Sequence, residues 1–243
     1  MLSFFKKSAV SDYFPLKVDM HSHILPGLDD GSPDVATSIE LVKGLMSLGV
    51  RHSIATPHII SDLYRNSRET IMAARDLLRN ELARQGMEYR IDAAAEYMLD
   101  TGFFDLLDHG TPLLTLRDNL LLTEFSWMSM PDNPKELSFR IITGGYTPVL
   151  AHPERYGYFH DNFKAYHLLQ DLGFKLQVNL LSLSGHYGAQ AARAAKYLLK
   201  NDMVSFIGTD LHHDRHLAGL RDSRQQMEQL LGGREWNGAL LIK

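Results

Sequence analysis

Two histidines one residue apart, His21 and His23 in the run Val18-Asp19-Met20-His21-Ser22-His23, are the first residues in this chain that could do chemistry. On an extended strand side chains alternate, so both imidazoles point to one side and can reach one metal ion. A carboxylate pair, Asp29-Asp30, follows before Gly31. More ligand types then appear just after apolar runs: His58, Glu96, Glu124, His152, Asp210 and His212. Five imidazoles with three or four carboxylates and no thiolate suit Mn, Fe or Zn in an open site rather than a closed structural zinc. One ion cannot use so many donors, so two or three ions are expected. Carboxylates can bridge ions about 3.5–4 Å apart, and such clusters activate water and neutralise a transferring phosphoryl group.

The elements that must position these residues alternate between strand-like and helix-like stretches. Strands are expected at Lys17–His21, His52–Thr56, Tyr89–Glu96, Asn119–Glu124, Thr147–His152, Lys175–Leu181 and Val204–Thr209. Ser32, Pro33 and Asp34 read as N-cap, N1 and N2 of a helix closed by Gly49. Further helices are expected at Glu69–Arg84, Phe103–His109, Pro134–Thr143, Phe163–Leu172, Ala189–Lys200 and Leu217–Leu231. Continuous apolar strands separated by helices argue for parallel pairing with both faces covered. Seven such units point to an α/β fold, a closed or nearly closed β/α barrel, with a doubly wound open sheet as the alternative. In a parallel barrel the carboxyl ends of the strands share one rim, and every candidate ligand falls near such an end.

Composition narrows the function classes. The chain has 243 residues, 44% apolar and 22% charged, enough for one large domain. A net charge of -4 gives no basic footprint, which disfavours a nucleic-acid partner. The absence of cysteine removes disulfides, thiolate metal sites and cysteine nucleophiles, and fits the cytoplasm. No apolar run approaches the roughly 20 residues of an integral membrane segment. The opening Met1-Leu2-Ser3-Phe4-Phe5-Lys6-Lys7 has no apolar core after its lysines and does not read as a secretory signal. Residues 1–16 read as an N-terminal arm and 17–243 as a single domain.

The motifs together carry a resemblance. Asp19-Met20-His21-Ser22-His23, Leu25-Pro26-Gly27-Leu28-Asp29-Asp30-Gly31, Thr56-Pro57-His58, Ala95-Glu96-Tyr97, Glu124, Ala151-His152-Pro153-Glu154-Arg155-Tyr156, Gln177-Val178-Asn179 and Thr209-Asp210-Leu211-His212 resemble the polymerase-and-histidinol-phosphatase (PHP) superfamily. Within it they are similar to bacterial protein tyrosine phosphatases of the CpsB/YwqE type. The resemblance implies a distorted (β/α)7 barrel with three divalent metal ions. One ion would take His21, His23, Glu96 and Asp210. A second would share Glu96 and take Glu124 and His152. The third would take Asp30, His58 and His212. Arg155 resembles the family's phosphate-binding arginine, and Arg215 is the candidate for a second one, although its spacing from Asp210-Leu211-His212 departs from the family pattern. Arg155, Asp210 and His212 would carry catalysis, with a metal-activated hydroxide attacking phosphorus. The implied substrate is a phosphotyrosine protein, a bacterial tyrosine kinase of capsule or exopolysaccharide synthesis.

Several residues stay open on this reading. Asp29 is a weaker candidate than Asp30, since the sequence does not rank adjacent loop carboxylates. Trp127, Tyr64 and Tyr97 are candidates for an aromatic wall, and His213 for a proton donor. His52, His109, His160, His167, His186 and His216 read as surface or hydrogen-bonded residues. A histidinol-phosphate or other small phosphomonoester phosphatase is the alternative function. An amidohydrolase is disfavoured because no lysine ends a strand, and a ligand-depleted structural domain because the ligand positions are filled.

Overall fold

Apolar runs of four or five residues become parallel strands, and the amphipathic stretches between them become the helices that cover them. The computed structural model describes residues 14–232, 234 and 236–240. In chain order the elements are β1 (Val18–Asp19), α1 (Val35–Leu48), β2 (His52–Ala55), β3 (His58–Ile59), α2 (Arg68–Arg84), β4 (Arg90–Ala93), β5 (Glu96–Met98), α3 (Thr101–Asp108), β6 (Leu120–Glu124), α4 (Pro134–Thr143), β7 (Thr147–Ala151), α5 (Lys164–Asp171), β8 (Lys175–Asn179), α6 (Leu180–Ser184), α7 (Ala189–Lys200), β9 (Val204–Gly208), α8 (Asp214–Asp222) and α9 (Arg224–Leu231). The strands pair in parallel in two sheets, β1-β2-β4 and β3-β5-β6-β7-β8-β9.

The expected second strand forms as β2 and is followed by a further short strand, β3, while the expected third is divided into β4 and the start of β5. Pro57 has no N–H to give to a ladder, and the chain shifts after Thr56 from the β1-β2-β4 sheet to the other. Its neighbour makes the same change between Ala93 and Glu96, and the Glu96 N–H meets the Pro57 carbonyl at 3.1 Å. The barrel closes at the far seam. The Asp19 carboxylate accepts from the Thr209 amide at 2.9 Å and from its hydroxyl at 2.5 Å. Beyond it the Asp210 amide donates to the His21 carbonyl at 2.8 Å and the His23 amide to that of Leu211 at 2.9 Å. The result is a distorted β/α barrel of seven units.

One apolar cluster, including Val18, Met20, Ile54, Leu122, Val149 and Phe206, is drawn from strands all around the ring and fills its lower interior. A larger cluster packs the helices onto the outside. Residues 236–240 close the base, with Leu240 packed into the interior cluster. The Asn237 side-chain amide donates to the carbonyls of Val18 and Ile207 and accepts from the Ile207 amide.

Other departures are local. Asp34, not Ser32, caps α1, accepting from the Thr37 amide at 2.8 Å. The buried Ser32 hydroxyl is instead engaged by Ser38 at 2.8 Å and by the Asp34 carbonyl. β8 stops at Asn179, where the backbone turns into α6. The expected last helix is two, meeting at Ser223. Residues 1–13 of the expected arm lie outside the described residues. Its last residues, Phe14 and Leu16, are buried in the outer core, because two large apolar side chains beside α1 have more to gain there than in water.

Candidate metal and phosphate site

The barrel register sets the site. His58 pairs with Glu96 and Met98 with Glu124, which brings one histidine and two carboxylates from three adjacent strands together. The Glu96 carboxylate is fully buried and faces four imidazoles. Its Oε2 lies 3.1 Å from His21 Nε2, 3.3 Å from His23 Nε2 and 3.3 Å from His58 Nδ1. Its Oε1 lies 3.0 Å from His152 Nε2. Glu124 Oε1 lies 3.0 Å from His58 Nδ1. Asp210 divides its oxygens. Oδ1 faces His21, His23 and His212 at 3.4–3.5 Å, while Oδ2 accepts from Arg155 at 2.6 Å and Asn179 at 2.7 Å.

These atoms form overlapping groups close enough to share an ion: His21 with His23 and Glu96; His21 with His152 and Asp210; His58 with Glu96 and Glu124; and Asp30 with His23, His58 and His212. His58 belongs to two of them, through Nδ1 toward the glutamates and Nε2 toward Asp30 at 3.7 Å. The structure separates the two aspartates. Asp29 is buried against His23 Nδ1 at 2.7 Å and accepts from the His58 and Gly31 amides. Asp30 is half exposed and aims at His58 and His212. Gly31 follows them because a Cβ there would collide with the His23 carbonyl.

The electrostatics are those of a cation site. Burial alone would strip the proton from His21, but the Glu96 and Asp210 carboxylates outweigh it and raise its pKa to about 9. His23 is raised well above the usual range against the same burial, chiefly by Asp29. Burial resists charge on Glu96 too, yet His21 and His58 hold it well below the usual carboxylate range. His152 goes the other way: burial pushes it down to about 4. His58 Nδ1, His152 Nδ1 and both Glu124 oxygens are buried without a hydrogen-bond partner among the described residues. The His58–Glu124 approach is short but not aligned as a hydrogen bond, as expected of donors aimed at a common ion rather than at each other. His21 Nε2 and His23 Nε2 approach to 3.2 Å, so two ring nitrogens converge on one point. The donor set fits divalent metal.

The sequence marked Gln177 and Asn179 only as part of the resemblance, not as supports for the candidate ligands. Gln177 Oε1 accepts from His21 Nδ1 at 2.9 Å, which leaves Nε2 for the cluster, and also from the His152 amide. Gln177 Nε2 donates to Asn179, whose amide holds Asp210. The signal was two polar residues in an otherwise apolar strand. His152 and Asp210 both have left-handed backbones, with φ of 34° and 52°, a strain that clusters at functional sites.

Above the cluster lies a cavity of about 320 Å³, lined by Asp30, His58, Glu124, Trp127, His152, Arg155, Tyr187, Asp210, His212, His213 and His216. Trp127 stacks on His152 and is part of its wall. Tyr64 stacks on His58, at 12° between ring planes. Tyr97 is a core residue whose hydroxyl accepts from the Leu114 amide. His216 is a buried residue of the cavity lining, with Nδ1 near the Asp210 carbonyl. Arg215 is exposed on the first turn of α8 and is not part of the lining.

Residues 17–240 match the family described as capsular polysaccharide synthesis, CpsB/CapC. The chain is 32% identical over 205 residues to tyrosine-protein phosphatase YwqE of Bacillus subtilis, covering 81% of this chain and 77% of that protein. It is 29% identical over 203 residues to tyrosine-protein phosphatase CpsB of Streptococcus pneumoniae, covering 81% and 83%. A solved structure from a study of YwqE and CpsB, described as unique metal-dependent tyrosine phosphatases, superposes with a TM-score of 0.76 at 28% identity over 89% of this chain and 95% of that one. A histidinol phosphate phosphatase from Lactococcus lactis shares the fold, with a TM-score of 0.51 at 13% identity over 87% of this chain and 93% of its own. The chain belongs to the CpsB/CapC family of capsular polysaccharide synthesis.

Proposed function

We propose that this protein is a metal-dependent protein tyrosine phosphatase. The observation that carries the reading is Glu96, a buried carboxylate facing four imidazoles beneath a cavity that also presents Arg155. Three divalent ions, Mn, Fe or Zn, would be held by His21, His23, Glu96 and Asp210, by Glu96, Glu124 and His152, and by Asp30, His58 and His212. When bound, the ions supply a water acidic enough to attack phosphorus near neutral pH, and positive charge for the phosphoryl oxygens.

The chain's own residues do the rest. Arg155 spends one guanidinium N–H on Asp210, and its remaining donors are suited to bidentate binding of phosphoryl oxygens. Trp127, a half-exposed ring beside that arginine, offers a phenyl group aromatic surface to pack on. A tyrosine phenolate, with a pKa of about 10, leaves with less help from an acid than an alkoxide does. The substrate would be the phosphotyrosine of a bacterial tyrosine kinase controlling capsule or exopolysaccharide synthesis, met in the cytoplasm. No helix among the described residues is long and apolar enough to cross a membrane.

The test is hydrolysis of phosphotyrosine peptide, phosphoserine peptide and histidinol phosphate by metal-loaded protein, beside a His152→Ala variant and a chelator-treated sample. Preference for phosphotyrosine, lost in both controls, is the expected result. Preference for histidinol phosphate would overturn the substrate. Activity that survives chelation would overturn the metal dependence.

A further inference from the structure

The loop after α6 places Tyr187 against the phosphate-side arginine. The Arg155 guanidinium carbon sits 4.1 Å from the Tyr187 ring centroid and 4.8 Å from that of Trp127. The two rings and the Asp210 carboxylate, at 2.6 Å, fix the guanidinium on three sides. Tyr187 lines the same cavity, yet its hydroxyl is buried with no hydrogen-bond partner among the described residues. A buried phenolic O–H is normally partnered, and leaving it bare is costly. Burial, reinforced by Asp210, raises its pKa, so the proton stays on the oxygen. A neutral donor without an acceptor, beside a cation that binds anions, calls for an anionic oxygen arriving from the cavity.

We propose that Tyr187 is a further substrate-binding residue: its ring clamps Arg155, and its hydroxyl donates a hydrogen bond to a non-bridging phosphoryl oxygen. This deepens the phosphatase reading and rests on it for the identity of the ester, but the anion contact itself can be tested without turnover. No covalent step is involved. The phenol keeps its proton and the phosphoryl oxygen accepts.

The experiment compares metal-loaded wild type, Tyr187→Phe and Tyr187→Leu. Inorganic phosphate binding is measured by calorimetry, and kcat/KM is measured on p-nitrophenyl and phenyl phosphate. Tyr187→Phe keeps the clamp and removes only the donor, so phosphate binding and kcat/KM should each fall roughly tenfold, the scale of one hydrogen bond to a charged acceptor. The fall should be equal for the two esters, because the contact is not to the leaving oxygen. Tyr187→Leu should lose several-fold more, reporting the clamp. Metal content and the circular dichroism spectrum establish that each variant is folded and loaded. Unchanged phosphate binding in Tyr187→Phe overturns the donor role. A larger loss for phenyl phosphate than for the nitrophenyl ester places the hydroxyl on the leaving oxygen and overturns the assignment. Equal losses in the Phe and Leu variants overturn the clamp. If wild type binds phosphate through Tyr187 but hydrolyses neither ester, the phosphatase reading fails and the anion contact stands.

Discussion

Replacing Gln177 with methionine should weaken metal binding without touching a proposed metal ligand. Methionine has a similar unbranched shape but cannot replace the amide. The change removes the acceptor for His21 Nδ1 at 2.9 Å, the acceptor for the His152 amide at 3.3 Å and the donor to Asn179 at 2.8 Å. All of these groups are buried, and each buried polar group left without a partner costs about 1–3 kcal/mol. With partial relaxation the fold should lose about 3 kcal/mol. The effect on the site is separate. His21 loses the contact that fixes its tautomer and ring angle, and loss of such a partner commonly costs about 10–100-fold in metal affinity. Asn179, no longer anchored, would also hold Asp210 Oδ2 less well. The assay is competition with a chromophoric chelator for Mn or Zn, beside a urea melt of metal-free protein and kcat/KM on an aryl phosphate. The expected result is a tenfold or greater loss of metal affinity with a parallel loss of activity. A lower melt with unchanged metal affinity would make Gln177 merely structural. No change in either would refute the argument from the network.

Three further outcomes are expected. Gly208→Ala places a Cβ 2.7 Å from His21 Cβ and 2.9 Å from Gln177 Nε2. This overpacking should cost about 1–3 kcal/mol in a denaturant melt and lower metal affinity as well. Asp29→Asn removes the buried charge that faces His23 Nδ1 at 2.7 Å, and chelator competition should show roughly tenfold weaker metal binding. Leu45→Ala empties a fully buried site on α1 outside the barrel, so a melt should show a loss of about 2–5 kcal/mol, with kcat on aryl phosphates unchanged below the new midpoint.

The barrel itself was legible because its signals are local. Apolar runs such as Leu120–Glu124 and Thr147–Ala151 are strands, and α4 and α7 have the bounds that periodicity and caps suggest. The chemistry-bearing residues were legible for the same reason. His21, His23, Glu124 and His152 sit at or just past the ends of strand runs, and a parallel barrel gathers those ends on one rim. The broken strands were less visible, because Pro57 marks a break in the ladder but does not say which sheet the chain joins next.

What the sequence determined was therefore the list of candidate donor groups and the rim that collects them. The tertiary structure decided which donor meets which. Asp29 and Asp30 are chemically the same residue, and only packing against His23 makes one a buried support and leaves the other facing His58 and His212. Gln177 orients His21 across 156 residues of chain, and Thr209 holds Asp19 across 190. The contacts of Trp127 and Tyr187 with Arg155 join three segments, those after β6, β7 and α6. Such pairings depend on strand register and ring closure, which no local pattern encodes, because side-chain direction is set only when distant backbones pair.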